Sequence, residues 1–580
     1  MAINVAEQLV NMLADAGIKR IYAVTGDSLN PVNDAIRRDK RIQWIHVRHE
    51  EAGAYAAGAE AQLTGNITCC AGSSGPGHVH LVNGLYDAHR SGAPVLAIAS
   101  TCINSEFGMN YFQETNPIKL FDDCSLYNQV ANTPEQLPRM LQAAMQHAIQ
   151  LLGVSVVGLP GNVASAAATE SHSSLKSYRT QPVIRPSEEE ISALAGLLNK
   201  EANIVLFCGY GCRGAHEEIV ALAQKLKAPV AYSFRGKMEV EYDNPYAVGM
   251  TGLLGMTSGY EAMHDADVLL LLGTDFPYTP FMPSDNKIIQ IDIKAEHLGR
   301  RAHLTMGLQG NIKDTLKALS PLINEKKEEK FLKTQKAIYK KALDHLYENV
   351  KSHRGNVNAI HPEYVASVID KLAEDDAIFC LDTGMCCVWG ARYIQATKGR
   401  DILGSFVHGS MANAMPQAIG ASFACPDRQV VALCGDGGLS MLLGDLMTIA
   451  QYKLPVKIII FNNRSLGMVK LEMEVAGIPD WQTDMIDPVF EKIAEAMGIK
   501  GIKISSPEET EPLLKEVFET SGPVVANVMT DPNALALPPH IEWEQMKGFT
   551  MSMTKLMLGG RMQEVIDTVK SNINHLDDLL

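Results

Sequence analysis

Short apolar runs separated by helix-length segments recur along almost the whole chain. In the first 180 residues the runs are RIYAVTG, QWIHVRHE, ITCCAGSSGPG, PVLAIAS and VSVVGLP. They are rich in β-branched residues and do not alternate with polar ones, as expected of strands covered on both faces in a parallel sheet. A second set follows, NIVLFCGYG, APVAYSF, ADVLLLLGTDF and KIIQIDI, and then a third, AIFCLDTG, VVALCGDGG, VKIIIFNN and PVVANVMTD. The pattern predicts an α/β protein of three doubly wound parallel-sheet domains. The Ser- and Pro-rich join from Ser171 to Ser187 closes the first domain at residue 180, the second spans 187–335, and the third 336–535. Between the last two, the stretch from Asn324 to Gly355 is lysine-rich with opposite charges at i,i+4, which predicts a solvated connecting helix. The first and third units share size and strand rhythm, as a duplicated pair would.

Residues 536–580 form a tail. Val565, Ile566, Val569, Ile573 and Leu576 fall on one face of a helix, and Met546, Met551, Met553, Met557 and Met562 add flexible apolar surface upstream. On this pattern alone the tail reads as a helix docked on its own domain. Its acidic end, Asp577 and Asp578, is unlike an interfacial membrane helix, which carries more Lys and Arg.

Composition narrows the function classes. Hydrophobic residues make up 46% and charged residues 20%, an ordinary globular balance. The net charge of -15 argues against nucleic-acid binding through the phosphate backbone. The amino terminus has no basic segment leading into an apolar core, and apolar runs such as 268–272 and 458–461 are far below the roughly 20 residues that span a bilayer. The eleven cysteines show no paired C-x-x-C spacing and sit in strand-like contexts, which predicts reduced core residues in a cytoplasmic protein.

The chemistry concentrates in residues 430–469. A buried strand, a glycine-rich turn with Asp436, a helix and a second buried strand ending at Asn462-Asn463 should bring Asp436 and Asn463 to one sheet edge, because right-handed crossovers align the strands' carboxyl ends. A carboxylate and an amide oxygen are hard ligands suited to Mg²⁺, and Gly435, Gly437 and Gly438 let a diphosphate approach backbone N–H groups at a helix start. A G-D-G triplet or an Asn doublet alone occurs in ordinary turns; their spacing is what carries weight.

With that spacing the chain resembles the thiamine-diphosphate-dependent enzyme superfamily, whose metal motif is G-D-G followed by N-N. The resemblance implies Asp436 and Asn463 as Mg²⁺ ligands through side chains and Ser465 through its carbonyl, with Leu466, Gly467 and Met468 beside the cofactor. It places Glu50, in VRHEEAGAYAAGAEA, at the carboxyl that hydrogen-bonds the aminopyrimidine ring and so lets the cofactor deprotonate its own C2. Without the metal motif, Glu50 and Glu51 would both pass for acids at a helix N-terminus. In GSFVHGSMANAMPQAIGA, Gly409, Ser410 and Met411 match the cofactor-bracketing loop, Met411 as the wedge under the bent molecule.

Across nearly its whole length, through YFQET, EYDNPYAVGMTGLLG, LLGTDFPY and MKGF, the chain is most similar within that superfamily to the bacterial pyruvate dehydrogenase (quinone) or pyruvate oxidase family. That resemblance implies FAD in the middle domain, against Thr251, Gly252, Leu253, Leu254, Thr274, Asp275, Phe276, Pro277, Tyr278 and Asp292. It implies Phe112, Gln113 and Glu472 near the reacting carbon. Met468 departs from the pattern, since relatives often carry a bulky aromatic there between the thiamine and flavin sites. The implied activity is oxidative decarboxylation of pyruvate to acetate, with electrons passing through FAD to a membrane quinone. The tail would be a lid that, once released, binds the inner face of the cell membrane, and the cofactor site would lie between two chains of a homodimer or homotetramer. Two rival activities are acetolactate synthase, suggested by LGMV after the doublet, and an oxygen-using, phosphate-dependent pyruvate oxidase. A flavin- or thiamine-binding sensor without activity is the rival from another class.

Overall fold

The computed structural model describes residues 3–169, 178–180, 182–352, 359–536 and 543–572. Much of the join from Ser171 to Ser187, and Ile573, Leu576, Asp577 and Asp578 of the tail, lie outside the described residues. No described helix is long and apolar enough to cross a membrane.

Three six-stranded parallel sheets carry the fold. The first is built from β1 (Arg20–Ala23), β2 (Gln43–His46), β3 (Thr68–Gly72), β4 (Val95–Thr101), β5 (Tyr127–Val130) and β6 (Val154–Pro160). The second takes β7 (Ile204–Cys208), β8 (Val230–Tyr232), β9 (Ala247–Met250), β10 (Val268–Leu272), β11 (Lys287–Asp292) and β12 (Met306–Gln309). The third takes β13 (Ile378–Leu381), β14 (Asp401–Gly404), β15 (Val430–Gly435), β16 (Lys457–Asn462), β17 (Lys500–Ile504) and β18 (Val524–Met529). The first and third sheets share one strand order, β2-β1-β3-β4-β6-β5 and β14-β13-β15-β16-β18-β17, in keeping with the rhythm seen in the sequence.

Central strands such as β4, β7, β10 and β16 are buried at every residue, which is why their runs were apolar throughout. Five strands were not anticipated: β5, β9, β12, β14 and β17. Every one is a sheet edge. An edge strand pairs on one side only and is short, so its composition carries little signal.

The first and third domains join through two helices, Glu50–Thr64 and Ala414–Ala424. The former reads EEAGAYAAGAEAQLT and is buried nearly all round, so its small residues let a second backbone come close. A Cβ at Gly420 would stand 2.1 Å from the Ala56 carbonyl oxygen; only glycine fits. Ten of the eleven cysteines are buried and Cys425 is half-buried.

The lysine-rich stretch is the helix Lys330–Ser352, but it is not merely solvated. Leu346 and Val350 join the core of the third domain, while Phe331 and Tyr339 pack on that of the second, so one face seats the helix against both. The tail forms two helices, Trp543–Leu558 and Met562–Ser571. Of the predicted apolar face, Val565 is buried whereas Ile566 and Val569 are exposed. The inward side is instead a cluster of Met553, Leu556, Val565 and Phe549 between the two helices.

Candidate active site

β15 and β16 are neighbours, with Gly435 opposite Phe461, so the turns after them leave the sheet side by side. Asp436 opens the helix Asp436–Met441 and Asn463 follows β16, which is the convergence the sequence predicted. The Asp436 carboxyl is 3% exposed; Oδ1 accepts the Gly437 N–H at 2.9 Å, and Oδ2 has no hydrogen-bond partner among the described residues. Burial pushes this carboxyl up to about 6, against backbone N–H groups that pull it down. The Ser465 hydroxyl is likewise buried without a partner among the described residues. Asn463 Oδ1 accepts the Ser465 N–H at 3.1 Å, tightening a loop in which Arg464 takes φ 57°. An orphaned buried carboxylate beside an amide oxygen and a serine fits a hard divalent cation.

Around the turn, a Cβ at Gly437 would stand 3.0 Å from Leu466 Cδ2 and 3.3 Å from both Met411 Cε and Met485 Sδ. Leu466 and Met411 thus close on the turn, together with Met485. Gly438 is packed so tightly on the Asp382 carboxyl that a Cβ would be 1.8 Å from its Oδ2. Asp382 is buried and burial pushes it up to about 7. Sequence reading passed over it.

Gly409 adopts φ 76° and Ala412 φ 69°, so the loop carrying Ser410 and Met411 is sharply folded. Asn83 of the first domain secures it: its Nδ2 donates to Ser410 Oγ at 2.9 Å, and His408 Nε2 lies 2.8 Å from its Oδ1. The same Nδ2 donates to Glu51 at 2.7 Å.

Glu50, 7% exposed, is the first residue of its helix, capped by the His49 ring. Its Oε2 meets His80 Nδ1 at 3.0 Å. Gln113, in the left-handed region at φ 59°, accepts from Ser74 Oγ at 3.1 Å and packs on Gly75, beside the turn that carries Gly77 against Glu50. Phe112 is 76% exposed.

One cavity of 1520 Å³ collects the residues predicted for the flavin together with part of the third domain's set. Thr251, Gly252, Leu253, Leu254, Thr274, Asp275, Phe276, Pro277, Tyr278 and Asp292 line it from the middle domain; Gly409, Met468 and Glu472 line it from the third. Glu50, Phe112 and Gln113 of the first domain do not, nor do Met411, Asp436, Asn463, Ser465, Leu466 and Gly467 of the third. Arginines that sequence reading missed converge here: Arg213, Arg235, Arg300 and Arg301. Arg235 stacks on Tyr210 at 4.4 Å, and Arg301 Nε donates to Asp275 at 3.2 Å. Thr251 Oγ1 is buried with no partner among the described residues. A roomy cleft with apolar walls, several guanidinium groups and an orphaned hydroxyl fits a dinucleotide bearing a diphosphate. The tail closes one side of it with Met546, Phe549, Met553 and Val569.

Polar contacts secure the tail. Arg561 forks onto Asp480 at 2.7 and 3.0 Å, Lys555 Nζ donates to the Gly477 carbonyl at 2.8 Å, and Ser571 Oγ donates to Asp531 at 2.7 Å. Gly548 lies against the Val475 backbone, which a Cβ would strike at 2.1 Å.

Three parallel-sheet domains, two of one topology, with a glycine-rich turn carrying the buried Asp436 on the third and the buried Glu50 on the first, fit the thiamine-diphosphate-using class of α/β enzymes. Residues 3–120 match the thiamine pyrophosphate enzyme N-terminal TPP binding domain, 191–319 the central domain, and 382–528 the C-terminal TPP binding domain. The chain belongs to the thiamine pyrophosphate enzyme family. It is 33% identical over 567 residues to the putative thiamine pyrophosphate-containing protein YdaP of Bacillus subtilis, covering 97% of this chain and 98% of the relative. It is 31% identical over 518 residues to a pyruvate oxidase of Lactiplantibacillus plantarum, covering 88% and 85%. To the acetolactate synthase isozyme 1 large subunit of Escherichia coli it is 28% identical over 557 residues, covering 92% and 95%.

Proposed function

We propose that this chain decarboxylates pyruvate oxidatively to acetate and CO₂, using thiamine diphosphate held through Mg²⁺, and passes the electrons through FAD to a membrane quinone. The observation that carries this is the single cavity running from Gly409, Met468 and Glu472 to the glycine and arginine lining of the middle domain. Thiamine diphosphate supplies an electron sink for CO₂ loss and, with a flavin in the same cleft, a two-electron donor.

The chain's own residues have distinct tasks. Asp436, Asn463 and Ser465 hold the cation, Gly437 and Gly438 admit the diphosphate, and Met411 with Leu466 shapes the bed beneath the rings. Glu50 supplies the activating carboxyl. The reading includes a second chain that completes each site, in a homodimer or a tetramer built from it. The exposed Phe112, and Trp481 at 74% exposure near the other half-site, are apolar surface suited to that contact.

Quinone use and peripheral attachment to the inner membrane face rest on the tail. It borders the cavity, and Met557, Leu558 and Met562 are exposed on it. Acetolactate synthesis is the second reading, favoured by Leu466-Gly467-Met468-Val469 and by the likeness to a synthase subunit. One anaerobic experiment decides: pyruvate should bleach the flavin spectrum, a quinone should restore it, and acetate should accumulate. An unbleached flavin with acetolactate formed rejects the proposal, as does acetyl phosphate made only with phosphate and oxygen.

A further inference from the structure

The hydrogen bond between Glu50 and His80 is not used by the reading above. Both oxygens of Glu50 are chemically alike, and the terminal torsion of a glutamate is broad and roughly two-fold. A carboxyl that must present one particular oxygen to a ring nitrogen therefore needs something to break that equivalence. His80 stands where it would do so. Its Nδ1 is 3.0 Å from Oε2, while the other oxygen, Oε1, faces Gly77, where a Cβ would come within 3.2 Å. That Cβ would also stand 2.6 Å from Ser73 Oγ, so only glycine leaves Oε1 uncovered on this side.

The His80 ring is itself held. It stacks on His49 with centroids 4.5 Å apart and planes 25° apart. The His49 ring is fixed in turn, since its Nδ1 accepts the Glu51 N–H at 3.2 Å as the cap of the Glu50–Thr64 helix. These donor atoms of His49, Glu50 and His80 lie within 4.8 Å of one another, a spacing a metal ion would also accept. The stacked rings and the occupied His49 Nδ1 favour a hydrogen-bonded relay over a convergent ligand set.

We propose that His80 is a positioning residue for the activating acid: its Nδ1–H engages Oε2 of Glu50 and reserves Oε1 for the aminopyrimidine nitrogen of thiamine diphosphate. This rests on the reading of Glu50 as that acid, so the test separates the two. The readouts are the rate at which the C2 proton of bound thiamine diphosphate exchanges for deuterium, measured by acid quench and NMR without pyruvate, and the cofactor's Kd from protein fluorescence. His80→Phe keeps a ring on His49 and removes the N–H. His80→Asn places an amide nitrogen near the site of Nδ1.

Losing a hydrogen bond to a charged or ionisable group should slow exchange in His80→Phe by about tenfold or more. Its Kd should stay within about threefold of the native value, because the diphosphate and metal provide most of the binding. His80→Asn should exchange within about threefold of native, as its donor takes over. Glu50→Gln is the control and should be slow. Native exchange in His80→Phe, or exchange in His80→Asn as slow as in His80→Phe, overturns the proposal. Native exchange in Glu50→Gln overturns the reading of Glu50 and the proposal with it.

Discussion

Protons and Mg²⁺ should compete for Asp436, and the structure sets the scale. Its carboxyl is raised from an ordinary value of 3.8 to about 6 by burial. The sign follows from linkage: a folded-state value above the unfolded one means that the folded chain binds the proton more tightly. The associated stability is present at low pH and is lost as the pH rises from about 4 to about 6. A displacement of about two pH units corresponds to about 3 kcal/mol of destabilisation in the metal-free protein once Asp436 is ionised. A cation seated on the orphaned Oδ2 removes that penalty, so metal should stabilise far more at pH 7.5 than at pH 5. Mg²⁺ affinity in the presence of thiamine diphosphate should be flat above pH 7 and weaken about tenfold by pH 5, since the metal must displace a proton there. Calorimetric titration across that range, with thermal melts with and without Mg²⁺, measures both. Asp382, raised to about 7 and packed under Gly438, adds a second step at higher pH to the metal-free melts, which Asp382→Asn removes. An Mg²⁺ affinity unchanged between pH 5 and 7 in that variant would refute the assignment of Asp436 as a buried ligand.

Two further outcomes are expected. Arg561→Ala leaves Asp480 buried without its forked partner and should speed protease cleavage before the tail several-fold while leaving the melting of the three domains in place; equal cleavage rates would show that the fork does not hold the tail. Gly420→Ala drives a methyl group into the Ala56 carbonyl and should lower stability by about 1–3 kcal/mol, visible in a denaturant midpoint, whereas Gly196→Ala, in open space on the helix Glu188–Lys200, should be neutral or better.

The sequence disclosed the buried centre of each sheet and concealed the rim. Runs such as VLLLL and KIIIFN have one physical explanation, burial on both faces, whereas YNQV at β5 or MGLQ at β12 is compatible with an ordinary loop. In the same way, Asp436 and Asn463 were legible because strand crossovers fix where turns emerge. The arginines were not, because Arg213, Arg235 and Arg300 come from separate loops and converge only in three dimensions. Asp382 was missed for a related reason: nothing in LDTG foretells that its carboxyl will fill the space left by the missing side chain of Gly438. The Lys330–Ser352 helix shows the opposite failure, where abundant charge obscured an apolar face.

The tail's small private core has a thermodynamic consequence. Met553, Leu556, Val565 and Phe549 pack on one another, while the seam to the body is made of Arg561, Lys555, Ser552, Ser571 and glycine backbone. If the tail leaves the body, as in the release the resemblance implies, its own hydrophobic contacts go with it and that cluster adds no new apolar area to water. Such a transition has a small heat-capacity change, so its midpoint should hardly move with temperature. Ionic strength, acting on the charged fork, should govern it instead.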